Sequence, residues 1–437
     1  MSENFKNQRE ILSKLGISRL NPMQEAAQTA ISSNSETIIL SPTGTGKTLA
    51  FLLPIIAELN PNIKNIQVLI LVPSRELAIQ IEQVIREIGS GYKATAVYGG
   101  RSGSKDRIAL KHPPAILVGT PGRVADHIER EVFKITTIKT LVLDEFDKSL
   151  EVGFEEDMKF ILEELKTVSK KILTSATQKV KIPSFVGIKN PKRLSFLDEK
   201  TSNLKLKTVV SKTQDKLASL ERLLGHIGAG SGIIFCNLKD SIQNVSDFLN
   251  EKNINHGCFS GDLEQHDRER ALIKFRNGTH KILVSTDLAA RGIDIPEMDF
   301  IIHYELPTRP DEFIHRNGRT ARMHSNGTAF ILKYLNEELP VFIKNDEEIS
   351  IISAQKVKNS NWSTLHISGG RKDKISKGDI AGLFFKQGNI KKEDLGIIEL
   401  KQDCAYVAVS STNLNNLVQT LNNSRLKKKK VRISILK

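Results

Sequence analysis

Residues 41–48 read Ser-Pro-Thr-Gly-Thr-Gly-Lys-Thr; they follow the apolar segment Thr37–Leu40 and precede a helical pattern. Glycines at this spacing let the backbone curl so that its N–H groups face phosphate oxygens. In such a loop Lys47 supplies positive charge to the outer phosphates of a nucleotide, and Thr48 supplies a hydroxyl to Mg²⁺. The stretch therefore predicts a nucleotide-binding loop rather than a plain glycine-rich turn, formed by Thr43, Gly44, Thr45, Gly46, Lys47 and Thr48.

Short apolar runs rich in β-branched residues recur on both sides of this loop, and helical spacers such as Glu76–Ile88 separate them. Runs of this length are typical of strands buried on both faces. Their alternation with helices predicts parallel sheets with helical crossovers. The predicted strands of the first series are Thr37–Leu40, Val68–Val72, Ala115–Val118, Leu141–Leu143 and Lys171–Thr174, and those of the second are Ile233–Phe235, Lys281–Val284, Phe300–Ile302 and Ala329–Leu332.

Two polar stretches, Asp198–Lys207 and Gln355–Asn361, predict the domain boundaries. The expected domains are residues 1–200, 206–350 and 362–437. The third has the pattern β-α-β-β-α-β, which suits a small RNA-binding-type fold of one sheet and two helices. The overall prediction is an α/β protein with two parallel-sheet domains in tandem and a small C-terminal α+β domain.

Composition excludes several classes of protein. Of the 437 residues, 39% are hydrophobic and 26% are charged, which is ordinary for a globular chain. No apolar run approaches the ~20 residues that cross a bilayer, and the N-terminal residues are polar. Three cysteines without paired spacing favour neither a disulfide framework nor a zinc cluster, so we expect a reducing cytoplasm.

The net charge of +14 is concentrated near the C-terminus. Residues 356–437 contain 17 basic and 6 acidic side chains, an excess of 11. A localised basic block indicates a polyanionic partner, most often a nucleic acid. The alternative is a solvated basic face, or for Lys427–Lys430 an edge strand protected by charge.

The segment Leu141–Glu145 is an apolar strand that ends in two acids. Ligands bind at the carboxyl edge of a parallel sheet, where these carboxylates are expected. Asp144 can hold Mg²⁺ through water, and Glu145 can act as general base toward an attacking water. An acidic pair alone is also common at a helix N-terminus, but with a phosphate loop it predicts a nucleotide hydrolase.

A basic cluster, residues 315–322, contains Arg316, Arg319 and Arg322 at intervals of three. This spacing can place all three guanidinium groups on one helical face. Arginine aimed at a γ-phosphate stabilises transition-state charge. The alternative is a basic surface helix.

Taken together, these segments resemble the DEAD-box RNA helicases of superfamily 2 over about residues 16–325. A dozen segments match the motifs of the family and occur in the family's order. They are Gly16–Gln24 (Q motif), Ser41–Thr48 (I), Pro73–Leu77, Gly99–Gly100 and Thr120–Arg123 (RNA backbone), Asp144–Asp147 (II), Ser175–Thr177 (III), Ile234–Asn237 (IV), Gly261–Asp262 with Gln265 and Arg268 (IVa), Ser285–Asp287 and Ala290–Asp294 (V), and His315–Arg322 (VI).

The resemblance implies two RecA-like domains that close on ATP and Mg²⁺ at their interface. It implies that Gln24 reads adenine, that Asp294 contacts the ribose, and that Thr48 and Asp144 bind Mg²⁺, partly through water. Arg319 and Arg322 are the implied arginine fingers. The implied catalytic residues are Lys47, Asp144, Glu145, Arg319 and Arg322.

The same resemblance implies a grip on the sugar–phosphate backbone of one RNA strand. Since the grip favours closure, hydrolysis is expected to depend on RNA. The implied RNA-binding residues of the two domains are Pro73, Arg75, Gly100, Thr120, Arg123, Gln265 and Thr286. The implied interdomain coupling residues are Asp147, Ser175, Thr177, His315 and Arg316.

The chain departs from the family pattern at several positions. Phe146 stands where motif II has Ala, so it requires a larger pocket, and Leu20-Asn21 stand where the Q motif has Pro-Thr. Phe5 is the candidate for stacking on adenine. These departures keep a second hypothesis open, a scaffold that binds ATP and RNA without turnover. A third, a motor acting on DNA, is disfavoured by the RNA-gripping motifs and the C-terminal domain.

Residues 365–374, with Gly378–Ile380, Leu395–Ile398 and Ala405–Val409, resemble the C-terminal domain of DbpA-type bacterial helicases. This implies an RRM-like domain that anchors the enzyme to ribosomal RNA of the large subunit. Strand alternation leaves only His366 and Tyr406 as outward rings, so we expect binding through phosphates and RNA shape, by Arg371, Lys372 and Lys374.

The sequence thus predicts an ATP-dependent RNA helicase that locally unwinds or remodels structured RNA, with ATP and Mg²⁺ as cofactors. The expected partners are large-subunit ribosomal RNA and a pre-ribosomal particle. We expect a cytoplasmic monomer with no membrane association.

Overall fold

The computed structural model describes residues 6–100, 103–150, 153–177, 182–197, 203–261, 263–287, 298–321, 326–344, 347–351 and 355–436. The chain divides into two compact units, and the second begins at Asn203. Among the described residues, no helix combines the length and the apolar character that crossing a membrane requires.

The first unit is built on a parallel sheet of seven strands in the order β3-β4-β2-β5-β6-β1-β7. Its strands are β1 Glu36–Leu40, β2 Val68–Leu71, β3 Ala94–Val97, β4 Ile116–Gly119, β5 Thr140–Leu143, β6 Lys170–Ser175 and β7 Lys192–Ser195. Its helices are α1 Gln8–Lys14, α2 Pro22–Ser33, α3 Lys47–Glu58, α4 Arg75–Ile88, α5 Gly103–Leu110, α6 Pro121–Glu129, α7 Phe146–Ser149 and α8 Glu155–Glu164.

Strand β2 shows why the central strands are continuously apolar. All four of its residues are buried. Val68 and Ile70 pack into one apolar cluster, whereas Leu69 and Leu71 pack into another. Because successive side chains of a strand point to opposite faces, the sheet has a hydrophobic core on both sides, as crossover helices require.

The second unit contains a second parallel seven-stranded sheet, in the order β10-β11-β9-β12-β13-β8-β14. Its strands are β8 Asn203–Ser211, β9 Gly232–Cys236, β10 His256–Phe259, β11 Ile282–Thr286, β12 Phe300–His303, β13 Asn326–Tyr334 and β14 Glu347–Ile349. Its helices are α9 Leu217–Ile227, α10 Lys239–Glu251, α11 Gln265–Arg276 and α12 Pro310–Asn317.

The C-terminal part of this unit is an antiparallel sheet in the order β16-β17-β15-β20, with a separate hairpin of β18 and β19. The elements are β15 Trp362–Ile367, α13 Lys377–Lys386, β16 Leu395–Leu400, β17 Ala405–Ser410, α14 Leu414–Leu421, β18 Arg425–Leu426, β19 Lys429–Lys430 and β20 Ile433–Ile435. The predicted order β-α-β-β-α-β is confirmed, and the fold class with it.

Two predicted segments differ in detail. The polar stretch Asp198–Lys207 was expected to be a linker, yet β8 begins at Asn203, so the predicted domain start at 206 falls inside a strand. Leu204-Lys205-Leu206-Lys207 alternates with period two, which is a strand signal. Near the C-terminus, the last strand of the predicted pattern is the short β20, Ile433–Ile435, which follows the hairpin.

Candidate functional site

The first sheet brings the predicted nucleotide motifs to one edge. Strands β5, β6 and β1 are neighbours, and all three run in the same direction. Their carboxyl ends carry Asp144–Glu145, Ser175–Thr177 and Ser41 respectively. Segments separated by more than a hundred residues therefore meet at the edge where open parallel sheets bind ligands.

The loop between β1 and α3 has the strained backbone that its glycines allow. Gly44 and Gly46 have φ angles of 81° and 85°, in the left-handed region that favours glycine. The Lys47 ammonium donates to the carbonyl oxygens of Ser41 and Pro42 at 2.6 and 2.8 Å, so it lies across the loop. The loop thus presents the N-terminus of α3 and a lysine together, which suits phosphate groups.

Two residues of the predicted Q motif donate hydrogen bonds to the backbone of this loop. The Gln24 amide nitrogen donates to the Gly46 carbonyl at 3.3 Å, and the Asn21 amide nitrogen donates to the Thr45 carbonyl at 3.0 Å. Asn21 also caps α2 by accepting from the Gln24 backbone N–H at 2.9 Å. The Asn21 departure from the family pattern therefore gives the loop a specific support.

Asp144 is buried at the end of β5, and the Thr174 hydroxyl donates to its Oδ1. Burial, followed by repulsion from the Glu145 carboxylate, raises the pKa of Asp144 to about 6. The Thr174 hydrogen bond and the positive charge of Lys47 act in the opposite direction. A carboxylate that is poorly stabilised by its surroundings gains most from a cation brought in with the nucleotide.

Glu145 adopts a left-handed conformation, with φ of 48°, at the start of the short helix α7. Its backbone N–H donates to Asp144 Oδ1 at 3.1 Å. Its Oε2 is buried, and no described group donates a hydrogen bond to it. A buried carboxylate oxygen without a donor costs free energy, and such an oxygen is well suited to accept a proton from a bound water.

Phe146, the departure in motif II, is 2% exposed. It packs in the apolar cluster that also contains Leu40, Leu143 and Leu173. The larger pocket that this residue requires is therefore part of the hydrophobic core.

Motifs II and III are joined by one hydrogen-bond chain. The Thr177 hydroxyl donates to Asp147 Oδ2 at 3.0 Å. The Ser175 hydroxyl accepts from the Thr177 backbone N–H at 2.9 Å. The three predicted coupling residues of the first domain are thus in contact, so a change at Asp147 can be transmitted to the end of β6.

The other half of the same edge carries the predicted RNA-backbone residues. They follow β2, β4 and β3, which are neighbours in the sheet. The Arg75 guanidinium lies against Gly100, because a Cβ placed there would be 2.5 Å from Nη1. Thr120 is the N-cap of α6, and Pro73 follows β2. The nucleotide and RNA motifs therefore occupy adjacent halves of one edge.

Arg123 is fixed by a buried acid that the sequence did not point out. Its Nε donates to Asp106 Oδ2 at 2.8 Å, and His127 Nε2 lies 3.2 Å from the same oxygen. Asp106 is fully buried, whereas the Arg123 side chain is 16% exposed. Arg123 is therefore preorganised, with only part of its guanidinium facing solvent.

In the second unit, Arg316 is surrounded by hydrogen-bond acceptors and an aromatic ring. It is 1% exposed and donates to both oxygens of Asp287, with 2.8 Å from Nε to Oδ1. It also donates to the Glu305 carbonyl and to Asn237 Oδ1, both at 2.7 Å. Its guanidinium carbon lies 5.1 Å from the Phe235 ring centroid. Arg316 therefore joins the carboxyl ends of β9, β11 and β12.

The prediction that the three arginines share one helical face is wrong. Helix α12 ends at Asn317, and Gly318 is its C-cap, so Arg319 lies in the following turn. Arg319 and His315 are buried. Gln265 begins α11, and Thr286 ends β11. Arg322, Asp294 and Phe5 lie outside the described residues.

The predicted cations of the C-terminal domain are exposed on a single turn. Arg371, Lys372 and Lys374 belong to or follow the short 3₁₀ helix Arg371–Asp373. Backbone hydrogen bonds at 3.0 and 2.9 Å from Arg371 and Lys372 to Lys401 and Gln402 hold the turn against the β16–β17 connection. The domain thus presents three positive charges on a rigid support.

The lysine run Lys427–Lys430 has a partly structural role. The Lys427 ammonium lies 2.8 Å from Asp379 Oδ1, and the Lys429 ammonium lies 2.8 Å from Asp373 Oδ2. Two of the four charges are therefore neutralised within the domain. This arrangement is closer to the charged-edge alternative than to a free polyanion-binding strand.

Sequence reasoning did not predict the contacts through which four residues support the sites: Asn21, Thr174, Asp106 and Asp287. Asn21 had a detectable signal, since it precedes Pro22 and stands three residues before Gln24, as in a capping box. The other three act through contacts 17 to 30 positions along the chain, and no local pattern indicates such contacts.

Comparison with known families matches most of the chain. Three family models match the chain in order. The DEAD/DEAH box helicase model matches residues 21–184, and the helicase conserved C-terminal domain model matches residues 215–324. The DbpA RNA binding domain model matches residues 364–435.

The chain is 31% identical to the ATP-dependent RNA helicase DbpA of Escherichia coli, over 98% of this chain and 96% of that protein. The ATP-dependent RNA helicase DbpA of Bacillus subtilis is 30% identical to the chain, over 97% of this chain and 96% of that protein. S. cerevisiae Dbp5 bound to RNA and ADP BeF3 is similar in structure, with a TM-score of 0.67 and 29% identity over 75% of this chain and 87% of that one. This chain therefore belongs to the DbpA family of DEAD-box ATP-dependent RNA helicases.

Proposed function

We propose that this helicase, acting as a monomer, unwinds or remodels structured ribosomal RNA of the large subunit on a pre-ribosomal particle. The observation that carries the proposal is the C-terminal domain, which matches the DbpA RNA binding domain and has Arg371, Lys372 and Lys374 exposed on one turn. A helicase core that grips any strand by its backbone needs a second contact to prefer one RNA. The basic turn provides such a contact.

The nucleotide is proposed to bind at the β1–α3 loop, where Lys47 and the backbone N–H groups from Thr43 to Thr48 receive its phosphates. Gln24 remains the proposed adenine reader and at the same time supports the loop through Gly46. Asp294 is proposed to contact the ribose. The nucleotide would thus be recognised by residues that also shape the loop.

The donor groups at this edge fit Mg²⁺. No three or more His, Cys, Asp or Glu residues of the described chain approach one another closely enough to hold a metal alone. Magnesium instead prefers a few protein oxygens with water and phosphate oxygens, and the Thr48 hydroxyl and Asp144 carboxylate supply these. When bound, the ion would neutralise charge on the phosphates and on Asp144.

For hydrolysis, Glu145 is the proposed general base. A water attacks the γ-phosphorus, the bond from that phosphorus to the β–γ bridging oxygen breaks, and Glu145 accepts the proton of the water. The products are ADP and inorganic phosphate. The support is the buried Oε2, which has no other donor in the described chain.

The second domain is proposed to complete the site when RNA is bound. Arg319 and Arg322 would stabilise charge on the transferring phosphoryl group. His315 and the buried Arg316 would position that segment, while Asp147, Ser175 and Thr177 would transmit the state of the nucleotide. Pro73, Arg75, Gly100, Thr120, Arg123, Gln265 and Thr286 would contact the RNA backbone.

The test is ATP turnover by the full-length protein with no RNA, total ribosomal RNA, poly(A) or duplex DNA. Stimulation by ribosomal RNA well above that by poly(A) is expected. Equal stimulation by both RNAs would contradict the preference for ribosomal RNA, but the assignment as an RNA helicase would stand. Stimulation by DNA alone would contradict RNA as the substrate.

A charge-reversal pair tests the anchor. Arg371→Glu with Lys372→Glu should lower the affinity for ribosomal RNA about tenfold and leave stimulation by saturating poly(A) unchanged. Lys391→Glu with Lys392→Glu is the control, because these exposed lysines precede β16, whose six residues place them about 20 Å from the turn. Equal losses in both pairs would indicate a general charge effect and contradict the anchor.

A further inference from the structure

A cleft of about 550 Å³ lies where the second parallel-sheet domain meets the C-terminal domain. Both domains belong to the same compact unit. The cleft is lined by the end of α11 and the turn after it, by the segment 358–361, and by β15, β16 and β17. Its lining includes no residue of the nucleotide loop or of the basic turn at Arg371.

The walls of the cleft are held together by specific contacts. Arg276 at the end of α11 donates two hydrogen bonds from Nη2 to Glu399 of β16, both at 2.9 Å. The hydroxyls of Thr279 and Thr364 are 2.7 Å apart. The two domains therefore form a preorganised cleft, which lowers the entropic cost of binding a ligand.

The connecting segment is also fixed against the second domain. The Asn359 side chain accepts from the Asn255 backbone N–H at 2.7 Å and donates to the Asn253 carbonyl at 2.8 Å. The Ser360 hydroxyl accepts from the Trp362 backbone N–H at 3.1 Å. The backbone that carries Lys358 and Trp362, which flank these contacts, thus has a defined position beside the cleft.

Trp362 provides a flat apolar wall. A Cβ added to Gly396 would lie 3.0 Å from the indole ring, so the glycine permits close packing of the ring on β16. Ile397, 54% exposed, extends the apolar surface. An indole wall of this kind suits a planar ring, since aromatic side chains are the usual stacking platforms for nucleobases.

The charge of the cleft is positive. Arg276, Lys281 and Lys358 line it, and no acidic side chain does so among the described residues. Glu399, just outside, is matched by Arg276 and by Lys401, whose ammonium lies 2.7 Å from it. Lys358 is exposed, and no described side chain forms an ion pair with it. The cleft therefore favours an anionic ligand.

We propose that this cleft binds one nucleotide of an RNA single strand, with the base stacked on Trp362 and the phosphate near Lys281 and Lys358. The volume is in the range of ligand pockets, roughly 300–1,000 Å³. An aromatic wall with flanking cations is the combination that single-stranded nucleic acids recognise without strong sequence preference. The proposal rests on the proposed action of this protein on RNA. It adds one more RNA contact to those of the helicase core and of the basic turn.

The experiment uses Trp362 as its own probe, because it is the only tryptophan of the chain. The full-length protein is titrated with single-stranded oligo(U) in the absence of ATP, and tryptophan emission is recorded. Stacking of a base on the indole is expected to quench the emission with saturation. RNA-stimulated ATP turnover is measured on the same preparation, so loss of the general RNA response is recognised separately.

Lys358→Glu should weaken the quenching titration about five- to tenfold, because repulsion replaces a phosphate contact. Lys356→Glu is the matched control, since it is exposed in the same segment but does not line the cleft, and it should titrate like the parent. Ultraviolet crosslinking of oligo(U) that contains 4-thiouridine should label residues 358–362.

The proposal is overturned if tryptophan emission does not change at oligo(U) concentrations that saturate ATP turnover. It is also overturned if Lys356→Glu and Lys358→Glu weaken quenching equally, since the effect would then come from general charge. A chain without any RNA-stimulated turnover that still shows Lys358-dependent quenching would retain the cleft and refute the helicase role.

Discussion

The carboxyl edges of the two parallel sheets have the same strand arrangement, but they differ in how fully their buried charged residues are hydrogen-bonded. At the first edge, Asp144 is buried with a raised pKa, and Glu145 Oε2 has no hydrogen-bond donor among the described groups. At the second edge, Arg316 donates to Asp287, Asn237 and the Glu305 carbonyl. The first edge keeps a buried carboxylate oxygen without a donor, whereas the second pairs its buried guanidinium group with four acceptor atoms.

This difference distinguishes groups that are suited to chemistry from groups that hold the fold together. A group that must exchange a proton or bind a cation cannot be fully paired in advance, and the fold bears the cost of its burial. A buried arginine that organises three strand ends needs every donor paired, because an unpaired buried charge is strongly destabilising. The two edges can therefore be distinguished by mutations that affect either turnover or stability.

The largest effect is expected for Glu145→Gln. The amide cannot accept the proton of the attacking water, so ATP turnover should fall by about 10²–10⁴-fold while ATP and RNA binding persist. Turnover and RNA binding by filter retention would be measured together. Unchanged turnover would refute the assignment of the general base.

At the second edge, Arg316→Met is expected to act on stability first. It leaves the Asp287 carboxylate without its partner, and breaking such a pair costs about 3–5 kcal/mol of the free energy of unfolding. Denaturant unfolding measures this cost. Arg316→Lys, which keeps the charge but not the planar fork, should lie between the parent and Arg316→Met. If Arg316→Met is as stable as the parent and merely slow in turnover, the architectural role is wrong.

The smallest effect is expected for Asn21→Ala, which tests the support of the loop at the first edge. Asn21→Ala removes a helix cap, worth about 1 kcal/mol, and the hydrogen bond to the Thr45 carbonyl. We expect a several-fold higher KM for ATP. Asn7→Ala is the control, since Asn7 caps α1 with the same capping box and does not contact the nucleotide loop. A KM change of equal size in both variants would mean that general destabilisation, not loop support, is responsible.

Much of the fold and part of the site follow from local patterns. The strands at the core of both sheets, the phosphate loop and the acids after β5 were predicted because each depends on residues adjacent in sequence. The strand β8 was missed because the segment is polar, although its lysines alternate with Leu204 and Leu206, and a strand paired on both sides was not expected there.

The sequence by itself determined the parallel-sheet class, the order of motifs and the residue types of the predicted nucleotide site, since spacing along a strand–loop–helix sets these directly. Only the tertiary structure decided which partner each charge has. The pairing of Arg123 with Asp106, the end of α12 before Arg319 and the cleft beside Trp362 all depend on the packing of distant segments. Such contacts are selected by the shape and burial of the folded chain, which no local pattern encodes.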